Sequence, residues 1–336
     1  MSIQILELPQ QDIDAACALF AGVYGHPIDP VQWRWKYQLG PRLGQVNMAA
    51  RTADGQWVGH AGAIVFPGSW QGRAMPMAQV CDIMVERRAR GGLSREGVYP
   101  RLVAALREAL RTRFPGVYAY GFPGERPFRL GERIGFYRRI GQCREARIPA
   151  DAPLAGDGRV LPAGAIWSAG AVWSARSADQ GGALPSGALP SGAAMPALDM
   201  LDRAWSRLGP LQPAPMVART GAWLAWRYGE HPSHAYRLWL LRRWFAPAGW
   251  LVTRRMPDGA QCVVDALLPR PADAPAACSA LRTALAREPA GPTVLSTWLD
   301  LPGAVDTPIV GTEFLAEAWH TNLPAPVFQP GDTDVY

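Results

Sequence analysis

Between Arg90 and Gly97 the chain reads Arg-Gly-Gly-Leu-Ser-Arg-Glu-Gly, immediately ahead of a helical pattern. Residues of these types at this spacing suit a large, doubly charged anion. A helix N-terminus exposes unpaired N–H groups and the positive end of the macrodipole. Gly91, Gly92 and Gly97 let the backbone come close to a bulky ligand. Arg90 and Arg95 add charged, fork-shaped donors that match phosphate oxygens, and Leu93 and Ser94 complete the turn between them. The chemistry this implies is a pyrophosphate cradle. No Gly-Lys-Ser/Thr closes the loop, so it is not a Walker A motif. The order GxGxxG is missing, so it is not a dinucleotide fingerprint.

A cradle needs rigid elements on both sides, and the flanking sequence supplies them. Gln79–Val85 is short, apolar and rich in β-branched residues, which predicts a buried strand. A helix is expected over Val98–Phe114, where Leu102, Val103, Leu106, Ala109 and Leu110 recur at helical spacing. Pro100 falls in its first turn, where the missing N–H has no partner to lose. Val117–Phe122 reads as a second strand. Upstream, Ile3–Leu8 reads as a strand and Gln10–Tyr24 as a helix. Trp33–Tyr37 is read as a short helix packing aromatics into the core, the other reading being a wall beside a bound ligand. Val46–Thr52 and Trp57–Phe66 form antiparallel strands joined at Asp54-Gly55.

Strand, Arg/Gly loop, helix, strand and a following Gly-Phe element resemble the acetyl-CoA-binding core of GNAT-superfamily acyltransferases. The residues that carry the resemblance are Asp82-Ile83-Met84-Val85, Arg90-Gly91-Gly92-Leu93-Ser94-Arg95, Gly121-Phe122-Pro123-Gly124-Glu125-Arg126 and Ile134-Gly135-Phe136. The loop departs from the family's usual Gln/Arg-x-x-Gly-x-Gly/Ala and is closer to a branch with Arg-Gly-x-Leu-Ser/Thr-Arg/Lys-x-Gly. The resemblance implies an α/β fold and acetyl-CoA or another acyl-CoA as co-substrate. Ile83, Met84, Val85, Arg90, Gly91, Gly92, Leu93, Ser94, Arg95 and Gly97 would hold it. It also implies transfer of an acyl group, acetyl first, to an amine of a small molecule or peptide by direct attack. That reaction needs a proton acceptor, N–H donors for the oxyanion and an acid for the thiolate, but no protein nucleophile.

The resemblance places a carboxylate at Asp82, the first candidate for the proton acceptor; its counterpart Asp265 in the other half favours a structural role. The family's usual tyrosine acid falls on Gly131 here, which leaves Tyr137 and Tyr99 as substitutes, each also suited to packing. In some multi-domain relatives the terminal carboxylate reaches the active site of the first half, which makes Tyr336 a third candidate. The alternative to an enzyme is a non-catalytic acyl-CoA-binding or regulatory protein.

The second half echoes the first. Trp35-Lys36-Tyr37 is matched by Trp226-Arg227-Tyr228, and Asp82-Ile83-Met84-Val85 by Asp265-Ala266-Leu267-Leu268. A helical run follows each (Val98–Phe114, Ala274–Arg287), then a strand (Val117–Phe122, Thr293–Leu299). Matching order points to two copies of one fold. Pro269-Arg270-Pro271-Ala272-Asp273 replaces the cradle in the second copy. It has two prolines and no glycine, so it is not expected to bind pyrophosphate. The expected architecture is therefore two tandem GNAT-like α/β domains, each a mixed, mostly antiparallel sheet flanked by helices. Residues 1–150 would form the acyl-CoA domain, 151–210 an irregular linker and 211–336 the degenerate copy. Gly-Ala-Leu-Pro-Ser-Gly occurs twice near residue 187, and Ser177–Pro196 is read as an extended, unpacked loop.

Composition sets the outer limits. The chain has 336 residues and a net charge of +6, and Lys36 is its only lysine. Without a long basic run, nucleic acid is not an expected partner. Five scattered cysteines without a CxxC fit reduced thiols in a cytoplasm and argue against a metal centre. His231 and His234 lack a third ligand. No apolar window reaches the ~18 residues of a membrane span, and no basic n-region marks a signal peptide. The acceptor, the acyl chain length and the oligomeric state are left open.

Overall fold

The computed structural model describes residues 2–90, 96–149, 167–174, 196–243, 246–288, 292, 294–314, 323–326 and 328–333. Gly91–Arg95, Tyr336 and most of the low-complexity stretch lie outside the described residues. In chain order the elements are β1 (Ile3–Glu7), α1 (Ile13–Tyr24), α2 (Pro30–Gln38), β2 (Gly44–Thr52), β3 (Trp57–Trp70), β4 (Arg73–Val85), α3 (Val98–Arg113), β5 (Tyr118–Gly121), α4 (Glu125–Arg133) and β6 (Arg138–Pro149). They continue with β7 (Trp167–Ser174), α5 (Pro196–Leu208), β8 (Met216–Val217), α6 (Gly221–Leu224), β9 (Arg237–Arg243), β10 (Ala246–Arg255), β11 (Gln261–Leu267), α7 (Ala274–Leu285), β12 (Val294–Thr297) and β13 (Val305–Glu313).

The chain divides into two compact units. The first holds Met1–Ser69, Ala74–Gly141 and Ile309–Pro326. The second holds Trp70–Arg73, Gln142–Pro308 and Val327–Tyr336. The expected boundaries at 150 and 211 follow chain order, whereas these units do not.

In the first unit the strand order is β1-β2-β3-β4-β5-β13. β1–β2, β2–β3 and β5–β13 are antiparallel and β4–β5 is parallel, which gives the mixed, mostly antiparallel sheet expected. Ala61, Ala63, Val65, Ala78 and Val80 point to one face, where they pack on Leu102, Val103, Leu106 and Leu110 of α3 and Phe128 of α4. The period of two then sends His60, Gly62, Gln79 and Cys81 to the other face. α2 begins at Pro30, behind an Asp29 side chain that accepts the Val31 N–H at 2.7 Å, a standard N-cap.

The second unit repeats the plan as β7-β9-β10-β11-β12-β6. Here β11–β12 is the parallel pair and β12–β6 the antiparallel one. Its core packs Trp239, Leu241, Leu251 and Val263 on Ala277, Cys278, Leu281 and Leu285 of α7. Each sheet thus ends on a strand from the other half of the sequence: β13 completes the first, β6 the second. β6 (Arg138–Pro149) is not among the strands expected from the sequence. Arginines at 138, 139, 144 and 147 hide the alternation of β6, whose Cys143, Ala146 and Ile148 are buried.

Candidate functional site

β4 and β5 pair in register from Met77–Tyr118 to Val80–Gly121. β5 stops there, while β4 runs on to Val85. The strand therefore leaves its partner at the point where the Asp82-Ile83-Met84-Val85 motif begins. Asp82 has φ of +50°, a left-handed conformation that costs an L-residue energy and that Asp and Asn tolerate best among side-chain-bearing residues. Neighbours hold it there. His60 Nδ1 lies 2.9 Å from the Asp82 carbonyl, and Asn47 Oδ1 lies 3.2 Å from His60 Nε2. Burial pushes the His60 pKa below its ordinary value, so the ring is neutral and carries one proton. One ring N–H cannot serve both acceptors, so the arrangement closes with Nδ1–H on the carbonyl and the Asn47 amide turned to bring its NH2 to Nε2.

The Asp82 carboxylate faces two donors. Lys36 Nζ lies 2.8 Å and Tyr37 Oη 2.6 Å from Oδ2. The Lys36 and Asp82 side chains are only 10% and 7% exposed, so the chain's one lysine is spent on this buried pair. Burial pushes the Asp82 carboxyl up, but the Lys36 charge and the Lys36 and Tyr37 hydrogen bonds outweigh it, and its pKa lies below the ordinary carboxylate value. Burial and the same carboxylate raise the Tyr37 phenol well above its usual range, so it stays a donor. A side chain on Gly62 would overlap the Tyr37 hydroxyl, so only glycine fits opposite it. Trp33–Tyr37 thus does pack aromatics inside, as expected, yet the same helix turn brings Lys36 and Tyr37 to Asp82. The sequence reading missed that. The echo of Lys36-Tyr37 and Asp82 in Arg227-Tyr228 and Asp265 was the signal that could have found it.

Past β4, Arg90 Nε donates to the Val85 carbonyl at 2.8 Å, which turns this arginine back over the strand end. α3 is preceded by Gly97 at its N-cap, a residue with no side chain to cap the first-turn N–H groups. Of the expected cradle, Ile83, Met84, Val85, Arg90 and Gly97 are thus gathered between the end of β4 and the start of α3. Gly91–Arg95 lie outside the described residues.

Tyr137 is buried among Val98, Phe128 and Phe314, with its ring centroid 5.9 Å from that of Phe314. Burial and the neighbouring Tyr99 raise its phenol well above the usual range. A Cβ on Gly131 would overlap the Tyr137 ring. The ring therefore fills the room that a side chain at position 131 would need. The exposed Tyr24 donates its hydroxyl to the Ile83 carbonyl at 3.3 Å.

Tyr336 lies outside the described residues, but the segment before it does not. Asp332 and Thr333 are 6% and 0% exposed, and Asp332 Oδ1 lies 2.6 Å from Arg219 Nη2 in the second unit. His231 and His234 are stacked at 4.7 Å. His231 Nδ1 accepts the Ser233 and His234 N–H groups, so that nitrogen is not open to a metal. Among the described residues no group of three or more His, Cys, Asp and Glu could hold a metal ion. No described helix is long and apolar enough to cross a membrane.

Residues 4–142 match the family model described as an acetyltransferase (GNAT) domain. Solved structures share the fold across most of the chain. A probable N-acyltransferase of Enterococcus faecalis V583 is 11% identical at a TM-score of 0.60, with 93% of this chain and 72% of that one covered. A GCN5-related N-acetyltransferase of Anabaena variabilis ATCC 29413 is 14% identical, with the same coverage and TM-score. A tandem GNAT protein from the clavulanic acid biosynthesis pathway is 15% identical at a TM-score of 0.50, with 93% and 98% covered. No curated protein matches the chain.

Proposed function

We propose that this chain, an enzyme of the GNAT N-acetyltransferase family through its residues 4–142, moves an acyl group from acyl-CoA to an amine of a small molecule or peptide. One observation carries the reading: β4 parts from β5 beyond Val80–Gly121 and leads to a helix whose N-cap residue, Gly97, has no side chain to cap it. The opening suits a thioester lying along β4, and the helix start suits its pyrophosphate. Acetyl-CoA is the first donor to test.

The acyl-CoA supplies an activated carbonyl, and the rest falls to the chain. Ile83, Met84 and Val85 would line the acyl arm and offer backbone N–H groups to the oxyanion. Arg90 and Gly97, with Gly91, Gly92, Leu93, Ser94 and Arg95, would hold the phosphates. Asp82 acts as a positioning residue. Its carboxylate keeps Lys36 and Tyr37 in place, and its left-handed backbone sets the direction of the N–H groups that follow. Tyr137, kept neutral, is a hydrogen-bond donor for the departing thiolate.

The test is CoA release from acetyl-CoA on addition of a panel of primary amines, with mass spectrometry of any acyl-CoA that co-purifies. Amine-dependent release supports the reading. Tight acyl-CoA binding without release for any amine would favour a non-catalytic acyl-CoA-binding protein. Asp82→Asn should lower kcat while leaving acyl-CoA affinity within about twofold, as a change felt only in the transition state does.

A further inference from the structure

The second unit carries a copy of the Lys36–Tyr37–Asp82 arrangement. Tyr228 donates to Asp265 Oδ2 at 2.7 Å, as Tyr37 does to Asp82 at 2.6 Å. Both aspartates lie on the strand that pairs in parallel with the next, β11 with β12 and β4 with β5. The cation differs. In the first unit Lys36 pairs with the carboxylate. Its counterpart Arg227 instead donates Nε to the Gly331 carbonyl at 3.1 Å and Nη2 to the Thr333 carbonyl at 2.6 Å. Arg219 has taken over the charge at Asp265, at 2.9 Å, and extends Nη2 to Asp332 at 2.6 Å. Every departure from the first unit's arrangement therefore touches the segment Gln329–Thr333.

The fit is steric as well as ionic. A Cβ on Gly331 would overlap the Tyr228 hydroxyl and lie 2.8 Å from the Val264 carbonyl. Asp332 closes the short helix Pro330–Asp332 by accepting the Gln329 N–H at 2.9 Å. Arg219 is 0% exposed and Arg227 7%. Two buried arginines that grip two backbone carbonyls and one carboxylate make a receptor for a short peptide carrying a Gly-Asp pair.

We propose that the second unit's counterpart of the candidate site has become a binding site for a Gly-Asp-Thr peptide, filled by the chain's own residues 329–333. The site is distinct from the acyl-CoA site of the first unit, and it stands whether or not that unit transfers acyl groups. While filled, it leaves no room for an acceptor beside Tyr228 and Asp265.

Carboxypeptidase digestion of the full chain, followed by intact mass, tests this. Trimming of the wild-type protein should stall with Thr333 retained. Gly331→Ala should be trimmed past Gln329 about tenfold faster or more, since the segment must open to be cut. A synthetic peptide Gln-Pro-Gly-Asp-Thr-Asp-Val-Tyr should then bind Gly331→Ala saturably in calorimetry, and the same peptide with Ala for Asp should not. If Gly331→Ala does not fold, millimolar natural peptide should speed trimming of the wild-type chain by competition, and the Ala peptide should not. Wild-type trimming straight through Gln329 would overturn the proposal. So would equal action of the two peptides, or none by either.

Discussion

Asp82 and Asp265 occupy matching places and titrate in opposite directions. At Asp82, Lys36 and Tyr37 overcome the cost of burial and hold the carboxyl below its ordinary pKa. At Asp265, burial dominates, the Asp332 charge adds to it, and Arg219 and Tyr228 offset only part, so its pKa is pushed up to about 6. The consequences for stability differ in sign. Asp82 contributes stability that is present above the ordinary carboxylate pKa and is lost as pH falls through its lower folded value. Asp265 binds its proton more tightly folded than unfolded, so between about pH 6 and 4 its contribution grows as pH falls. Urea melts at pH 7, 6 and 5 should therefore show a pH slope in the wild type that Asp265→Asn lacks; equal slopes would rule the assignment out. At the cradle, Arg90→Ala should weaken acyl-CoA binding by roughly 1.5–3 kcal/mol, the scale of a charge-assisted hydrogen bond. Arg270→Ala should change it little, because Arg270 is spent on Asp273 at 2.8 Å. Equal losses in a binding titration would mean the cradle is misplaced.

At the scale of elements, the helix before each aspartate shows how one arrangement survives different sequences. The N-caps Asp29 and Thr220 each stand eight residues before the tyrosine, Tyr37 or Tyr228. The tryptophan between them stands one place earlier in the second copy, Trp223 against Trp33, and that copy has a π-turn over Ala225–Gly229. The tryptophan rings still reach their tyrosines, with centroids at 4.8 and 5.7 Å. α4 shows the opposite case, where one side chain has taken another's room. Because Tyr137 fills the space beside Gly131, Gly131→Ala should cost about 1–3 kcal/mol by overpacking. Adding Tyr137→Ala should recover part of that in a thermal melt, since residues in contact are not additive. Strict additivity would show that the two positions do not compete for the space.

At the scale of the whole chain, each unit's sheet is completed by a strand distant in sequence. β13 pairs through Thr312 and Glu313 with Gly121 and Tyr120, and Glu313, 0% exposed, forms an ion pair with Arg138. β6 pairs over Ala146–Pro149 with β12. A fragment of residues 1–150 loses β13 and exposes the edge of β5, an unpaired row of N–H and C=O groups prone to association. Expressed alone it should be unfolded or aggregated by circular dichroism and light scattering, and co-expression with residues 151–336 should recover soluble protein. A monomeric, folded 1–150 that binds acyl-CoA as tightly as the full chain would show that the exchange is dispensable.

Local pattern alone was enough for most elements of the first half and for the helix and following strand of the second, but not for β6, β9, β10 or β13. Hydrophobic periods of 3.6 and 2 act over a few residues, so Val98–Arg113, Tyr118–Gly121 and Ala274–Leu285 could be read within a few residues of their ends. The repeat of Trp-basic-Tyr and Asp was enough to show two copies of one fold. What the residues cannot carry locally is pairing across the chain. Lys36 meets Asp82 over 46 positions, Arg138 meets Glu313 over 175, and Asp332 meets Arg219 over 113. The strand exchange, the buried charges and the place of Gln329–Thr333 follow from where the chain returns in space. Burial makes the pairings of Lys36 with Asp82 and of Asp332 with Arg219 obligatory only after the fold has removed water from both partners.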